Sequence, residues 1–426
     1  RRVLFRSRRL GRALGTGVVE GLFVRETDAP TTVLVEAGQA LAPSGQVVAL
    51  PQRTEVSVVS EIDREEGATT EGQFANCATQ HAIVTSGTGA YVLVLEPASD
   101  TQGRVPRTSL GGDGAAGECG AKHRVEGARL RLVCLDTQDD ALVPPSVQAE
   151  LKTEESALDD ALAEGRKPPP VTGTRLRNLL AHACLRTPQA ERETAPLSDT
   201  LREVATGRSS SQNDTPTGPT DVQTYSDVGP HAVPIGLLYW ARDHVQFVDV
   251  WSVRRRVYRS DPQRPAPATA RRRAETEAAI FQFQAHLADL RAALSAGDRQ
   301  LVRARDLMHW LPPIGLIPEQ SGASPGFRRE AFFDGLATRP VVVIEGARVG
   351  ALFDDAVRHM SFPTQSDKLV WRYEVRENRQ AVEGGEAAPY VLFTTGSVPF
   401  VGEPRYNLSR WSHSNYDLGL DRRSEV

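Results

Sequence analysis

Residues 15–50 read GTGVVEGLFVRETDAPTTVLVEAGQALAPSGQVVAL, and this stretch decides the fold class. Short β segments are joined by Gly, Pro and Ser turns. Val33, Val35 and Ala37 alternate with Leu34 and Glu36, the two-residue period of a half-buried strand. Gly15, Gly17 and Gly21 superficially suggest a dinucleotide loop. Their spacing is wrong, no strand precedes them and a strand rather than a helix follows, so they read as turn glycines. Nothing in the stretch offers a nucleophile, a metal cluster or a phosphate cradle. It describes a scaffold module.

The rest of the chain sets limits around that module. With 426 residues it can build about two to four compact units. A hydrophobic fraction of 40% and a charged fraction of 24% are ordinary for a globular protein. A net charge of −4 gives no global pull toward nucleic acid or anionic lipid. No apolar run approaches the ~20 residues of a membrane span. Cys77, Cys119, Cys134 and Cys184 are too few for a disulfide scaffold, which points to a reducing compartment. The preference for Arg over Lys and the abundance of Ala and Gly suggest a GC-rich bacterial genome. Residues 1–7, RRVLFRS, read as a sequencing adapter translated in frame and are set apart from the fold. On that reading the gene product starts upstream of Arg8, and an N-terminal signal stays open.

Along the chain, residues 8–140 predict a β-rich N-terminal region of two small units. Tyr91–Leu95 is a continuous apolar run suited to burial on both faces. Arg129–Leu135 alternates, with Leu130, Leu132 and Cys134 on one side. Residues 141–185 predict two helices. The first is capped by Ser146 and carries Val147, Leu151, Leu158 and Leu162 in a stripe; the second places Leu176, Leu179, Leu180 and Ala183 on one face. Residues 186–230 are polar and rich in Ser, Thr and Pro, the composition of a linker or long disordered loop. Residues 231–311 predict a hairpin turning at Arg242-Asp243 and then a helix. Residues 312–426 predict a C-terminal α+β domain with a strand at Val341–Ile344 and a short helix at Val349–Met360. The fold class is therefore α+β and multi-domain, with β-rich N- and C-terminal units joined by helices and a polar linker.

Several residue groups suggest sites. Cys77 with His81, and Cys119 with His123, repeat a Cys-x-x-x-His spacing. Two such pairs could make a tetrahedral zinc site, the one cofactor the sequence offers, although neither has finger spacing. A Cys77–Cys119 disulfide and unlinked cysteines are the alternatives. Arg254, Arg255 and Arg256 could meet phosphate or an acidic partner, but on a strand they cannot all point one way; a solvated strand end is the plainer reading. Asp159-Asp160 and Asp354-Asp355 are adjacent carboxylates, which diverge on a helix by about 100 degrees and do not converge as an acid and base should. His309 beside Trp310, and His413 near Trp411, suit packing or an interface better than catalysis. No nucleophile elbow and no Ser, His and Asp triad can be nominated. In the helix over 270–297, Ile280, Phe283, Leu287, Leu290 and Leu294 recur at spacings of three and four. That stripe reads as an interface to a neighbour or to a second copy, or as a face turned into the chain's own core.

Several blocks, taken in order, resemble a group of bacterial proteins found with phage-tail-like contractile injection systems. They are Gly15–Leu22, Val35–Ala40 with Ser44-Gly45, Gly89–Val94 and Leu176–His182. Val233–Trp240 with Phe247–Arg254, and Leu311–Pro318 with Phe332-Phe333, complete the series. The resemblance spans most of the chain and implies a structural, non-catalytic baseplate- or fibre-type protein. Its implied partners are other protein subunits of a large assembly, put together in the cytoplasm and released as part of a particle. No functional residues carry over from that group. Two rival readings stand beside it. One is a carbohydrate- or surface-binding fibre module using Trp371, Tyr390, Tyr406 and Trp411. The other is a zinc-dependent enzyme or zinc-stabilised domain built on the Cys/His pairs.

Overall fold

The computed structural model describes residues 16–60, 82–106, 119–138, 143, 145–164, 170–185, 228–229, 231–257, 267–356, 359 and 361–395. Residues 1–7, and the 186–230 stretch apart from 228–229, lie outside these. The protein is α+β and divides into two compact units, Arg1–Thr137 with Glu191–Arg271, and Gln138–Ala190 with Arg272–Val426.

The described part of the first unit is built from strands. β1 (Gly17–Gly21), β4 (Gly38–Leu41) and β5 (Val47–Leu50) form one antiparallel sheet in the order β1-β4-β5. β2 (Val24–Glu26), β3 (Thr32–Val35), β6 (Thr54–Ser60) and β7 (Ala82–Thr85) form a second, β2-β3-β6-β7, in which β6 and β7 run parallel. β8 (Gly89–Pro106), β9 (Cys119–Cys134), β10 (Val233–Ala241) and β11 (His244–Asp249) form a third, β11-β10-β8-β9. One apolar cluster serves all three sheets, with Val18, Val33, Val35, Leu93, Ile235 and Trp240 among its members. Gly21 (φ +60) and Gly38 cross so closely that a Cβ on either would run into the other strand's backbone; Gly17 and Gly21 are therefore strand glycines of β1 rather than turn glycines, and Gly15 lies outside the described residues.

The strand patterns are confirmed with two corrections. Tyr91–Leu95 is buried throughout, as a run apolar on both faces should be. Leu34 is buried along with Val33 and Val35, so β3 is covered on both faces rather than one, and Ala37 lies exposed beyond its end. On β9, Leu130 and Leu132 pack on the core, but Cys134 is exposed while Val133 and Leu135 are buried. The 231–311 segment is not one unit. Its hairpin pairs with β8, from Val233↔Leu95 to Trp240↔Gly89, while its helix belongs mostly to the second unit. The hairpin turns where expected, with Arg242 (φ 48) and Asp243 (φ 59) both left-handed, the geometry that matches strand twist in a two-residue turn. β11 stops at Asp249 because Asp249 Oδ1 accepts hydrogen bonds from the backbone N–H and hydroxyl of Ser252, which turns the chain.

The second unit combines helices with a mixed sheet. α1 (Pro145–Ala163) and α2 (Pro170–Leu185) are the two expected helices; Val147, Leu151 and Leu158 on the first, and Leu176, Leu179, Leu180 and Ala183 on the second, are buried. α3 (Pro267–Ala293) is followed by the short α4 (Ala296–Arg299) and α5 (Ala304–Leu307). β12 (Trp310–Leu311) pairs with β15 (Phe362–Pro363). β13 (Ile314–Pro318), β17 (Tyr390–Thr395), β16 (Val370–Val375) and β14 (Val342–Ile344) form the sheet β13-β17-β16-β14. β14 and β16 are parallel, joined by a crossover that contains α7 (Val349–Ala356), whereas α6 (Arg329–Phe332) lies earlier and α8 (Arg376–Glu383) follows β16. The strand alternation gives the sheet two apolar faces. Ile317, Val370, Val391 and Phe393 pack with α3, and Ile314, Trp371, Tyr373 and Leu392 pack with Leu352 and Ala356 of α7.

Candidate functional site

The expected interface on α3 is a core. Phe283, Leu287 and Leu290 are 1%, 1% and 3% exposed, inside the cluster that holds Ile317, Val391 and Phe393. Leu294 packs on the same cluster and Ile280 on that of the opposite sheet face. The stripe is only about two heptads long, and a four-stranded sheet in its own chain offers a matching apolar face. Phe283 and Phe393 meet edge to face at 5.5 Å, over Gly315. A side chain at 315 would strike both rings.

The most site-like polar arrangement lies where α1 and α2 meet the residues leading into β12. Asn178, 4% exposed, accepts from the backbone N–H groups of His309 and Trp310, both at 2.8 Å. Its amide donates to the carbonyl of Trp310 at 3.0 Å. One turn further along α2, His182 stacks on the Trp310 indole at 3.7 Å with the rings 6° from parallel. From α1, Glu150 reaches His309 Nδ1 at 2.7 Å, and Glu154 pairs with Arg175 of α2 at 2.9 Å. Arg177 pairs with Asp289 of α3 at 2.6 Å. Burial holds His309 below its ordinary pKa; the Glu150 carboxylate works against this and the Arg175 guanidinium adds to it. Burial likewise raises Glu154, with Arg175 opposing. A carboxylate beside a neutral imidazole is proton-transfer chemistry in outline. Here both groups, with Asn178 and His182, fasten a helical hairpin to one segment of chain. The sequence signal was Arg177-Asn178 followed four residues later by His182 among leucines, polar groups on a helix otherwise destined for burial. His309 and Trp310 are indeed packed rather than open.

Arg254 is the second unusual group. It is 3% exposed, donates from Nη1 to the Leu22 carbonyl at 2.9 Å, and lies 4.2 Å from the Phe23 ring centre and 5.4 Å from that of Trp251. Burial, then Arg256, lowers it to about 10. The aromatic faces supply the attraction that water would otherwise give. Arg255 turns its Nη1 to the carbonyls of Trp251, Ser252 and Arg254. The backbone of this run borders β1, with Val18 N–H donating to Arg255 and Val257 N–H donating to Val18. Arg254 is buried and Arg255 half-buried, so these two are not a solvated end, whereas Arg256 is exposed; the backbone of the run closes one edge of a sheet.

The remaining candidates stay apart. Cys77 and His81 lie outside the described residues. Cys119 and His123 stand on β9 opposite Pro106 and Gln102, and their side chains are also outside the description. Among the described residues no three His, Cys, Asp or Glu side chains gather as a metal site. Asp159-Asp160 lie on α1; on α7, Asp355 approaches His359 at 3.8 Å beside Asp354. Trp371 is 8% exposed in the second unit's core and Tyr390 packs at its rim, whereas Tyr406, Trp411 and His413 lie outside the described residues. No helix among the described residues is long and apolar enough to cross a membrane. Comparison with known proteins gives no match: no family model, no curated protein and no solved structure resembles the chain.

Proposed function

We propose that the protein is a structural, non-catalytic component of a phage-tail-like contractile injection particle, associated with its baseplate or fibres. The observation that carries this reading is the use made of the site-like side chains. Trp371, which a sugar-binding surface would need in the open, is core. Asn178, His182, Glu150 and His309 hold helices to a strand, and Arg254 holds a turn to the first sheet. Such fastening suits a subunit that must transmit load without changing shape. The ordered blocks of sequence resemblance point the same way. Its partners are then other protein subunits of the particle, met in the cytoplasm during assembly.

The test is to tag the chain in its own host, sediment particles from the lysate and examine them by electron microscopy. The chain should co-sediment with sheathed particles, and deleting its gene should reduce their number or leave them without a complete end structure. Sheathed particles that form normally without it, and a chain that stays in the supernatant, would overturn the reading.

A further inference from the structure

Elsewhere in this chain an arginine meets a carboxylate along one edge of its guanidinium. Arg329 donates from Nε and Nη2 to the two oxygens of Glu319, and Arg129 donates from the same two nitrogens to Glu96. That edge carries two parallel N–H groups and matches the oxygens of a carboxylate. Among the described residues the same edge of Arg254 holds no carboxylate. Its hydrogen bond is made from the other end, Nη1 to the Leu22 carbonyl, and its Nε has no acceptor. Yet Arg254, 3% exposed, is the most buried arginine among the described residues; Arg177, at 8%, has Asp289. Even lowered to about 10, Arg254 carries its charge at neutral pH. A buried charge is normally paired, because taking it from water alone is costly. The Phe23 and Trp251 rings, at 4.2 and 5.4 Å, attract the charge but give Nε no oxygen to bond.

The backbone beside this group is strained. Leu22, whose carbonyl takes the Arg254 hydrogen bond, is fully buried at φ +55, directly after Gly21 at φ +60. A left-handed conformation is unfavourable for a bulky side chain, and such outliers cluster at ligand sites. The bend delivers Phe23, 38% exposed, to the Arg254 guanidinium. Phe23 and the half-buried Trp251 meet edge to face at 6.0 Å, so an apolar wall partly open to water borders the charge. Arg256, exposed, adds positive charge close by.

We propose that the Nε–Nη2 edge of Arg254 binds one carboxylate carried on an apolar stem, with Phe23 and Trp251 against the stem. One charge without a counter-charge and two parallel donors match a carboxylate. The aromatic wall suits an apolar stem, whereas phosphate has no apolar part to place against the rings. Phe23, at the surface, is the side chain whose rotation admits the ligand. The site does not rest on the particle reading; a carboxylate would bind the isolated chain.

NMR on the full chain, with its arginine side chains isotope-labelled, tests this with sodium propionate as the probe. The Arg254 Nε–H signal, assigned by its loss in Arg254→Lys, should move as propionate is added and saturate in the millimolar range. Sodium chloride at the same ionic strength should leave it in place. Lysine keeps the charge but lacks the paired donors, so propionate should raise the melting temperature of the wild type over that in chloride and not that of Arg254→Lys. Phe23→Leu takes the ring from the guanidinium and should displace the same signal, which identifies it even if the lysine variant does not fold. A glutamate-containing peptide blocked at both ends separates the sources: tighter binding than propionate places the carboxylate on a partner protein, and weaker binding places it on a small acid. An Arg254 signal that ignores propionate, or moves as far with chloride, would overturn the proposal. So would inorganic phosphate that saturates the signal at a lower concentration than propionate.

Discussion

Asn178 commits its side chain to three hydrogen bonds with two consecutive residues. Asn178→Ala would leave the N–H groups of His309 and Trp310 buried without that acceptor. A buried group left unsatisfied costs ~1–3 kcal/mol, so the expected loss is about 2–4 kcal/mol, read as a lower urea midpoint at unchanged slope. An effect below about 0.5 kcal/mol would mean that water or a neighbour replaces the amide. His309 gives a second prediction. Its folded pKa lies below the ordinary 6.5, chiefly through burial. As pH falls through that ordinary value, the unfolded chain binds a proton that the folded chain refuses. Stability from this group is therefore full above pH ~6.5 and declines as pH falls, until the folded pKa is passed. Urea midpoints measured from pH 7.5 down to 5.5, as about the useful window, should decline less steeply in His309→Gln than in the wild type. Parallel curves would show that another group sets the dependence.

At the scale of elements, the α3 stripe shows how one pattern supports two structures. Spacings of three and four say that a helix has an apolar face; they do not say whose surface covers it. Here the sheet β13-β17-β16-β14 covers it. Leu287→Asp with Leu290→Asp would place two carboxylates in that core, at ~2 kcal/mol or more apiece. The expected result is loss of the cooperative transition of the second unit and a large fall in helical circular dichroism. A folded chain that merely lost a partner would restore the interface reading. Gly315→Ala is the finer probe, because its methyl would meet the Phe393 and Phe283 rings at 2.5–2.9 Å. Overpacking of this kind costs ~1–3 kcal/mol, so a lower melting temperature with unchanged far-UV circular dichroism is expected. Thermal stability equal to the wild type would show that the rings can step aside.

At the scale of the whole molecule, the two proposals make separable predictions: the particle reading is tested by co-sedimentation in the host, and the Arg254 site by carboxylate binding to the purified chain. The α+β class, the presence of two helices within 141–185, the buried run Tyr91–Leu95 and the turn at Arg242-Asp243 could all be read from the sequence, although the second helix begins at Pro170 rather than near Thr174. Each rests on local rules: side-chain period and the few residues that accept left-handed turns; the expected cap, Ser146, instead lies inside the helix, which begins at Pro145. The sequence also marked His309 and Trp310 as packed or interfacial rather than catalytic. It did not reveal their partners, because Asn178 and His309 are separated by about 130 residues and no periodicity links them. The same limit hid the pairing of β10 with β8, the burial of Arg254 over Phe23, and the covering of α3. A strand's alternation determines which side chains share a face, and a helix's spacing determines how wide its apolar stripe is. Which strand is its neighbour, and which surface meets that stripe, are long-range choices made by total apolar burial and hydrogen-bond satisfaction across the folded chain. Only the tertiary structure decided those.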